Sequence, residues 1–318
     1  MKIDSKKKKR GIITNIISAV VFILLAYYVY NRREMLVDML QVNPLSIAIV
    51  FILFILMVGV IAYTNLYMMK SLDKDISFKD AFLVQFANNL LNKLLPKGGA
   101  VFRAYYLKTK YDFDYSQFLS TLGGLYVLSF AISSITGLVC FAYIYFSTGR
   151  FNLPYFIAFL AIFLGTFFVI IVSPKIPESK FRIINMIKRV LDGWNRIKKR
   201  KKDVFILLIL QLISNLISTI SLILVYRGIG LPMSLWQGIF LASISAITSI
   251  ANITPDGLGI KEALFMLASN FLATTPEIIL LGLLLFRTIA FAVSILWGGL
   301  SYILLSKQLK RIGYEKKD

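Results

Sequence analysis

The sequence predicts an all-α polytopic membrane protein with six full transmembrane helices and two re-entrant broken hairpins in an inverted-topology repeat. Of its 318 residues, 58% are hydrophobic and only 16% are charged, whereas about a quarter of an ordinary soluble domain is charged. Six apolar runs are long enough to cross the bilayer core, which takes about 20 helical residues. Two further apolar runs are interrupted near their middle by Pro and Gly.

The pattern predicts a single transmembrane domain over residues 1–318. Its first apolar run follows the basic segment "KKKKR" as a secretory signal would, but the run is longer than a signal peptide's apolar region and lacks a small-residue cleavage motif. We therefore expect an uncleaved first span. The predicted spans are Gly11–Tyr30, Pro44–Tyr67, Phe118–Phe146, Leu153–Val172, Val204–Tyr226 and Glu277–Leu305.

The two interrupted runs, Phe78–Leu107 and Ser234–Phe271, are each predicted to form a hairpin of two half-helices. Neither arm of the first run reaches the length of a full crossing, which favours re-entry. A helix broken at membrane depth is tolerated where protein or a water-filled cavity satisfies the freed backbone groups, so both hairpins should face inward. Two short full spans per hairpin, giving ten helices, or a surface location for the first run, are the alternatives.

The distribution of positive charge predicts the orientation. Of the 36 Lys and Arg residues, 30 fall in the segments that a chain starting inside would leave in the cytoplasm, and 5 fall outside. Because Lys and Arg concentrate in short cytoplasmic connections, both termini are predicted to be cytoplasmic, in a multi-pass protein of the cell (plasma) membrane.

The connection after the fourth span, residues 176–202, is predicted to form a cytoplasmic amphipathic basic helix. A helix with one apolar face and a basic remainder lies on the membrane surface. Its basic side would meet anionic head groups of the inner leaflet, although a plain orientation signal has the same composition. The apolar face comprises Phe181, Ile184, Ile187, Leu191 and Trp194.

The two breaks, "LLPKGGAVFRAYYL" from Leu94 and "NITPDGLGIKEALFML" from Asn252, form a degenerate repeat. Each half of the chain, residues 11–146 and 153–305, has three full spans with one hairpin between the second and third. Because three crossings is an odd number, the second half must be inverted, as in transporters that place a site near the midplane between broken helices. The matched residues are Pro96 and Pro255, Gly98 and Gly257, and Arg103 and Glu262.

Polar residues recur at helical spacing before each break and form one stripe per hairpin. Pro and Gly alone could serve close packing of membrane helices, but two copies with matched spacing favour a binding site. The stripes comprise Gln85, Asn88, Asn89 and Asn92 in the first hairpin and Ser245, Thr248, Ser249 and Asn252 in the second.

Arg287 lies well inside the last predicted span. An arginine at the centre of a membrane helix costs at least about 2.5 kcal/mol unless a partner compensates its charge. Glu262, just past the second break, is the expected partner, in a bidentate pair, with Asp256 as the second choice. A structural ion pair and a contact with a substrate phosphate are both compatible with this position.

The sequence predicts no catalytic residue, no metal site and no cofactor. Histidine, the commonest general base and metal ligand, is absent, and the single cysteine, Cys140, is expected to be a small core residue. The predicted substrate-binding residues lie around the two breaks and in the last span: Asn88, Asn92, Pro96, Gly98, Gly99, Arg103, Asn252, Pro255, Asp256, Gly257, Gly259, Glu262 and Arg287.

With Pro255, Gly257, Gly259 and Glu262 in the second break, the chain from its second span onward resembles the transmembrane region of lysylphosphatidylglycerol synthases and related flippase-like proteins. The first break departs from that family's pattern at Ala100, where an acidic residue is expected. The resemblance implies that the protein moves a phospholipid or a polyprenyl-phosphate-linked lipid between leaflets. We do not expect this sequence to contain the aminoacyl-transferase domain of the larger relatives, so aminoacylation of lipid is not carried over from the resemblance and no enzyme activity is expected.

Two other classes of function stay open. A membrane-embedded glycosyl or lipid transferase could hold a metal and a sugar diphosphate at the acidic pairs Asp73/Asp75 and Asp112/Asp114, and a scaffold in envelope-lipid synthesis needs no motif. The net charge of +20 is spread between apolar runs, so the expected partners are membrane lipids with anionic head groups and not nucleic acid. The oligomeric state, a homo-oligomer included, is left open.

The charge distribution yields a topology test in intact cells. A cysteine that replaces Lys2, Lys199 or Lys316 should be shielded from an impermeant thiol reagent, because all three positions are predicted to be cytoplasmic. A cysteine that replaces Arg150 should be labelled. Labelling at the first three positions would reverse the predicted orientation.

Overall fold

The computed structural model describes residues 42–72, 74–248 and 254–315, and the predicted first span, Gly11–Tyr30, lies outside them. Within the described residues the regular structure is helical. The α-helices are α1 (Pro44–Lys70), α2 (Phe78–Leu94), α3 (Gly98–Tyr111), α4 (Tyr115–Thr148), α5 (Leu153–Val172), α6 (Arg182–Ile197), α7 (Lys201–Gly228), α8 (Leu235–Thr248), α9 (Ile260–Leu267), α10 (Pro276–Val293) and α11 (Gly299–Glu315).

Five helical stretches of the described residues are long and apolar enough to cross a membrane, and they correspond to the second to sixth predicted spans. The predicted polytopic all-α membrane fold is therefore confirmed. The last stretch is longer than predicted because α10 continues through a π-helical segment, Ser294–Gly298, into α11. The five stretches are Pro44–Lys70, Thr121–Thr148, Leu153–Val172, Lys201–Gly228 and Pro276–Ile312.

Three of these stretches begin with the same local signal. Asn43, Asn152 and Thr275 cap α1, α5 and α10, and each side chain accepts a hydrogen bond from a backbone N–H of the first turn. A proline follows in the first turn of each helix, where its missing N–H is not needed. The helix starts are therefore set locally, before any packing.

The hairpin arms whose two ends are both described are short helices. α2 has 17 residues, α3 has 14 and α9 has 8, whereas α8 is described only as far as Thr248, next to residues 249–253, which lie outside the described part. At about 1.5 Å per residue α2, α3 and α9 are about 26, 21 and 12 Å long, whereas the hydrocarbon core is about 30 Å thick. The lengths favour half-helices over ten full spans.

The packing of the two hairpins is reciprocal. α2 of the first hairpin packs against α1 and against the last helix at its π-helical segment, and α8 of the second hairpin packs against α7 and α4. Each hairpin therefore contacts the second span of its own half and the third span of the other half. The two second spans, α1 and α7, pack against each other.

Glycines allow the closest of these contacts. A Cβ at Gly99 would lie 2.0 Å from the backbone oxygen of Asn88, so the two arms of the first hairpin touch through their backbones. A Cβ at Gly298 would lie 2.8 Å from the backbone oxygen of Phe86, so the π-helical segment also lies close to the backbone of α2. Small residues are what close approach between membrane helices requires.

The amphipathic helix α6 is shorter than the predicted segment 176–202 and is docked on the protein. Leu191 and Trp194 of its apolar face are buried, and Trp194 Nε1 donates a hydrogen bond to Ser173 Oγ at 3.2 Å. Phe181, just before the helix, remains 70% exposed. Ile187, in the middle of the face, is 45% exposed, so the N-terminal part of the predicted apolar face remains free to meet lipid.

The docking of α6 depends on two glycines of α4. A Cβ at Gly123 would lie 2.5 Å from Val190 Cα, and one at Gly124 would lie 2.1 Å from Ile197 Cδ1. An apolar helix face has the same sequence pattern whether lipid or protein covers it, so the sequence did not reveal this contact.

Replacing Gly99 by Ala should destabilise the protein, because the added Cβ would force the arms of the first hairpin apart. The matched control is Gly165→Ala in α5, where nothing lies within 4 Å of the new Cβ. In a helix interior that change should be neutral or stabilising by up to about 1 kcal/mol. Thermal unfolding in detergent compares the two; equal midpoints would contradict the close backbone contact.

Candidate functional site

The second break is a tight turn that requires unusual backbone angles. Pro255–Gly257 form a single 3₁₀ turn, and the φ angles of Asp256, Gly257 and Gly259 are 51°, 68° and 86°. This left-handed region is open to glycine but disfavours side chains with a Cβ. The two glycines predicted for this site therefore set the path of the chain into α9.

Glu262 lies in the first turn of α9 and reaches back across the break. Its carboxylate is 1% exposed, and Oε2 accepts a hydrogen bond from Gly259 N at 2.7 Å. Arg287 of α10 approaches the same carboxylate, with Nε 2.8 Å from Oε1 and Nη2 donating to Oε2 at 3.3 Å. The Nε–H of Arg287 does not point at Oε1 of Glu262. The 2.8 Å contact between these two atoms is therefore an ion pair without a hydrogen bond. The predicted pair of Glu262 and Arg287 is confirmed.

Asp256 bonds to the first hairpin and makes no direct contact with Arg287. Its Oδ2 lies 2.8 Å from Nζ of Lys93, a residue in the last turn of α2 that is 163 positions away. The Lys93 side chain is 13% exposed and that of Asp256 is 43% exposed. This ion pair joins the tips of the two hairpins.

Lys261 completes a group of charges around the second break. Its ammonium lies over the rings of Phe265 and Phe286, 5.5 and 5.4 Å from their centroids, and it is in electrostatic range of the other four charges. With three cations and two carboxylates, the group carries one excess positive charge. We call it the charged junction: Lys93, Asp256, Lys261, Glu262 and Arg287.

The first break matches the second in its backbone. Lys97, one residue after Pro96, has a φ of 61° and occupies the same left-handed region as Asp256. Asn92 Oδ1 accepts a hydrogen bond from Gly99 N at 2.9 Å, as Glu262 does from Gly259 N. In both breaks a side chain therefore satisfies an amide at the start of the second arm.

Arg103 lies in a separate polar network. Its Nη2 donates to Asn65 Oδ1 at 2.7 Å, and Asn65 in turn donates to Gln85, which donates to Asn89. The guanidinium lies 5.2 Å from the ring centroid of Phe118. Within the described part of the chain, no hydrogen bond or salt bridge connects Arg103 to the charged junction.

A third polar cluster fastens the far end of the first hairpin. The buried carboxylate of Asp80 accepts hydrogen bonds from Lys110 and Tyr111, and Lys110 also reaches Gln308 of α11. Burial alone would raise the pKa of Asp80, but the hydrogen bonds from Lys110 and Tyr111 outweigh it and hold the pKa below its usual value. The cluster ties both arms of the hairpin to the last helix.

Sequence reasoning missed Lys93, Lys261 and Asn65. Lys93 precedes Pro96 by three residues, so it lies one helical turn before the break, but its charge was assigned to the cytoplasm. Of the predicted residues, Asn252 lies outside the described part, and Asn88 contributes only its backbone oxygen beside Gly99.

Asp75 and the pair Asp112/Asp114, which were considered for a transferase, lie in two neighbouring loops. Asp73 is outside the described residues, and Lys74 Nζ donates a hydrogen bond to the backbone oxygen of Asp112 at 3.3 Å. Among the residues that the structure describes, no group of three or more Asp, Glu or Cys side chains could hold a metal ion.

Comparison with known proteins agrees with this fold. The family described as "Lysylphosphatidylglycerol synthase TM region" matches residues 12–298. The chain is also similar to the UPF0104 membrane protein MJ1595 of Methanocaldococcus jannaschii, with 22% identity over 314 residues that cover 91% of this chain and 93% of the relative. The family resemblance predicted from the two breaks is confirmed.

Neutralising one member of the Glu262 and Arg287 pair should destabilise the protein more than neutralising both. A lone buried charge typically costs about 3 to 5 kcal/mol, whereas removal of both partners can be close to neutral. Thermal unfolding of Glu262→Gln, Arg287→Gln and the double variant measures this difference. A double variant less stable than both single variants would show that the two charges do not stabilise each other.

Proposed function

Because the chain belongs to the lysylphosphatidylglycerol synthase TM region family, we propose that it moves a phospholipid or a polyprenyl-phosphate-linked lipid between the leaflets of the cell membrane. The observation that carries this proposal is the charged junction, where the tips of the two broken hairpins meet. A head group crosses at this junction while the acyl chains stay in the surrounding bilayer.

The obstacle to lipid exchange is the charge of the head group. Moving an isolated phosphate into a low-dielectric interior costs several kcal/mol or more, unless cations and hydrogen bonds replace the lost water. The charged junction offers three cations against two carboxylates, so its excess charge is opposite to that of a phosphate. Desolvation inside the protein strengthens this attraction relative to water.

The proposed topology places the junction near the midplane. The first hairpin enters from the cytoplasm and the second from the opposite face, which agrees with the short arms α2, α3 and α9 and with the reciprocal packing of α2 and α8. In such inverted repeats, movement of one half relative to the other exposes a fixed site to either side. Breaking and re-forming the contact between Lys93 and Asp256 is the step that this movement requires.

Reconstitution into liposomes tests the function. The wild-type protein should exchange labelled anionic lipid between leaflets without changing its chemistry, which mass spectrometry of the recovered lipid checks. Unchanged leaflet distributions would contradict a flippase, and a modified lipid would favour the transferase alternative.

Within that assay, Gly257→Val should abolish exchange while leaving membrane insertion intact, because valine opposes the left-handed turn at the second break. Gly149→Val is the matched control, since Gly149 also has a positive φ, 69°, but ends α4 in open space away from the junction. In both variants valine replaces a glycine with a positive φ, but only Gly257→Val should lose lipid exchange. Normal exchange by Gly257→Val would reduce the motif to a packing element.

A further inference from the structure

We propose that Lys261 binds the lipid head group directly and that the head group is a phosphodiester with one net negative charge. The lipid part of this inference rests on the proposed function, and the binding part is tested separately from transport. It starts from the way the three cations of the charged junction are used in the structure.

Two of the three cations are already engaged by carboxylates. Arg287 faces Glu262 through Nε and Nη2, and Lys93 Nζ lies 2.8 Å from Asp256. Lys261 Nζ has no hydrogen-bond acceptor and no carboxylate within 4.0 Å among the residues that the structure describes. As far as the described residues are concerned, its three N–H donors are therefore available to a ligand.

The surroundings of Lys261 hold the ammonium in place without neutralising it. The faces of the Phe265 and Phe286 rings attract the ammonium. The rings carry no formal negative charge, so they neither neutralise the ammonium nor replace a hydrogen-bond acceptor for its N–H groups. A partly buried ammonium without an acceptor among the described residues is unfavourable. An anion that reached Lys261 would supply both the missing charge and the missing hydrogen bonds.

The charge of the junction selects the class of head group. Its net charge is +1, so one phosphodiester brings it to zero. A phosphomonoester with two charges would leave an excess negative charge, and a zwitterionic head group would bring in another cation beside three existing ones. The head group that fits best is therefore a phosphodiester with no cation of its own, as in phosphatidylglycerol.

A binding assay that needs no transport tests the proposal. Thermal stabilisation of the purified full chain in neutral detergent is titrated with phosphatidylglycerol, phosphatidylcholine, phosphatidate, soluble glycerophosphoglycerol and inorganic phosphate. The variants are Lys261→Met, Lys261→Gln and Lys261→Arg. The control is Lys108→Met, which removes an exposed lysine whose Nζ lies 4.8 Å from the ring centroid of Tyr115.

Phosphatidylglycerol should stabilise the wild-type protein, Lys108→Met and Lys261→Arg. Its apparent affinity should fall about tenfold or more in Lys261→Met and Lys261→Gln, the loss expected for a charged hydrogen bond. Both variants remove a partly buried charge that no described carboxylate pairs with, so they should fold about as well as the wild type. Phosphatidylcholine should stabilise none of them.

Three results would overturn the proposal. Equal phosphatidylglycerol affinity in the wild type and Lys261→Met would remove Lys261 from the site, whatever the exchange assay gives. Tighter binding of phosphatidate than of phosphatidylglycerol would refute the single charge. If inorganic phosphate or glycerophosphoglycerol stabilised the protein and phosphatidylglycerol did not, Lys261 would bind a soluble phosphate compound and not a lipid. Lysine-dependent binding of phosphatidylglycerol without leaflet exchange would instead refute the proposed function and leave the binding site.

Discussion

The buried carboxylate of Glu262 is the interaction on which the second half of the site depends. It accepts the Gly259 amide that the turn leaves free and meets the guanidinium of Arg287 at the same time. In a low-dielectric interior neither charge would be tolerated alone. Their attraction therefore fixes α9 against α10, and this fixed edge holds Asp256 where it meets the first hairpin.

The sequence predicted features that the bilayer itself imposes. Span lengths follow from the thickness of the hydrocarbon core, so the described spans agree with the predicted ones to within a few residues, apart from the extended last helix. The pairing of Glu262 with Arg287 was predictable for the same reason, because each charge is costly in lipid and both lie beside one break.

Contacts that depend on tertiary packing were not predictable from one sequence. Lys93 is an ordinary basic residue in a chain rich in them, and only the meeting of the hairpins distinguishes it from a cytoplasmic charge. The docking of α6 was missed because its apolar face would have the same pattern against lipid. The adjacent Gly123 and Gly124 of α4 were the available signal, since paired glycines in a membrane helix often mark a close neighbour.

The two breaks also match in their backbone conformation. Lys97 and Asp256 occupy matched positions after their prolines, and both adopt a left-handed conformation that costs roughly 1–2 kcal/mol without glycine. A cost incurred twice at equivalent positions indicates that the turn shape itself is required. The two side chains differ in the sign of their charge, so the two breaks share a backbone geometry but not a chemistry.

The last helix contacts both hairpins along its length. Arg287 fastens it to the second hairpin, whereas Gly298 and Gln308 fasten it to the first. Between them the π-helical turn accommodates one residue more than an α-helical turn, which rotates everything beyond it by about 100°. This inserted residue sets the angular phase between Arg287 and Gln308, so one continuous helix presents different faces to the two hairpins.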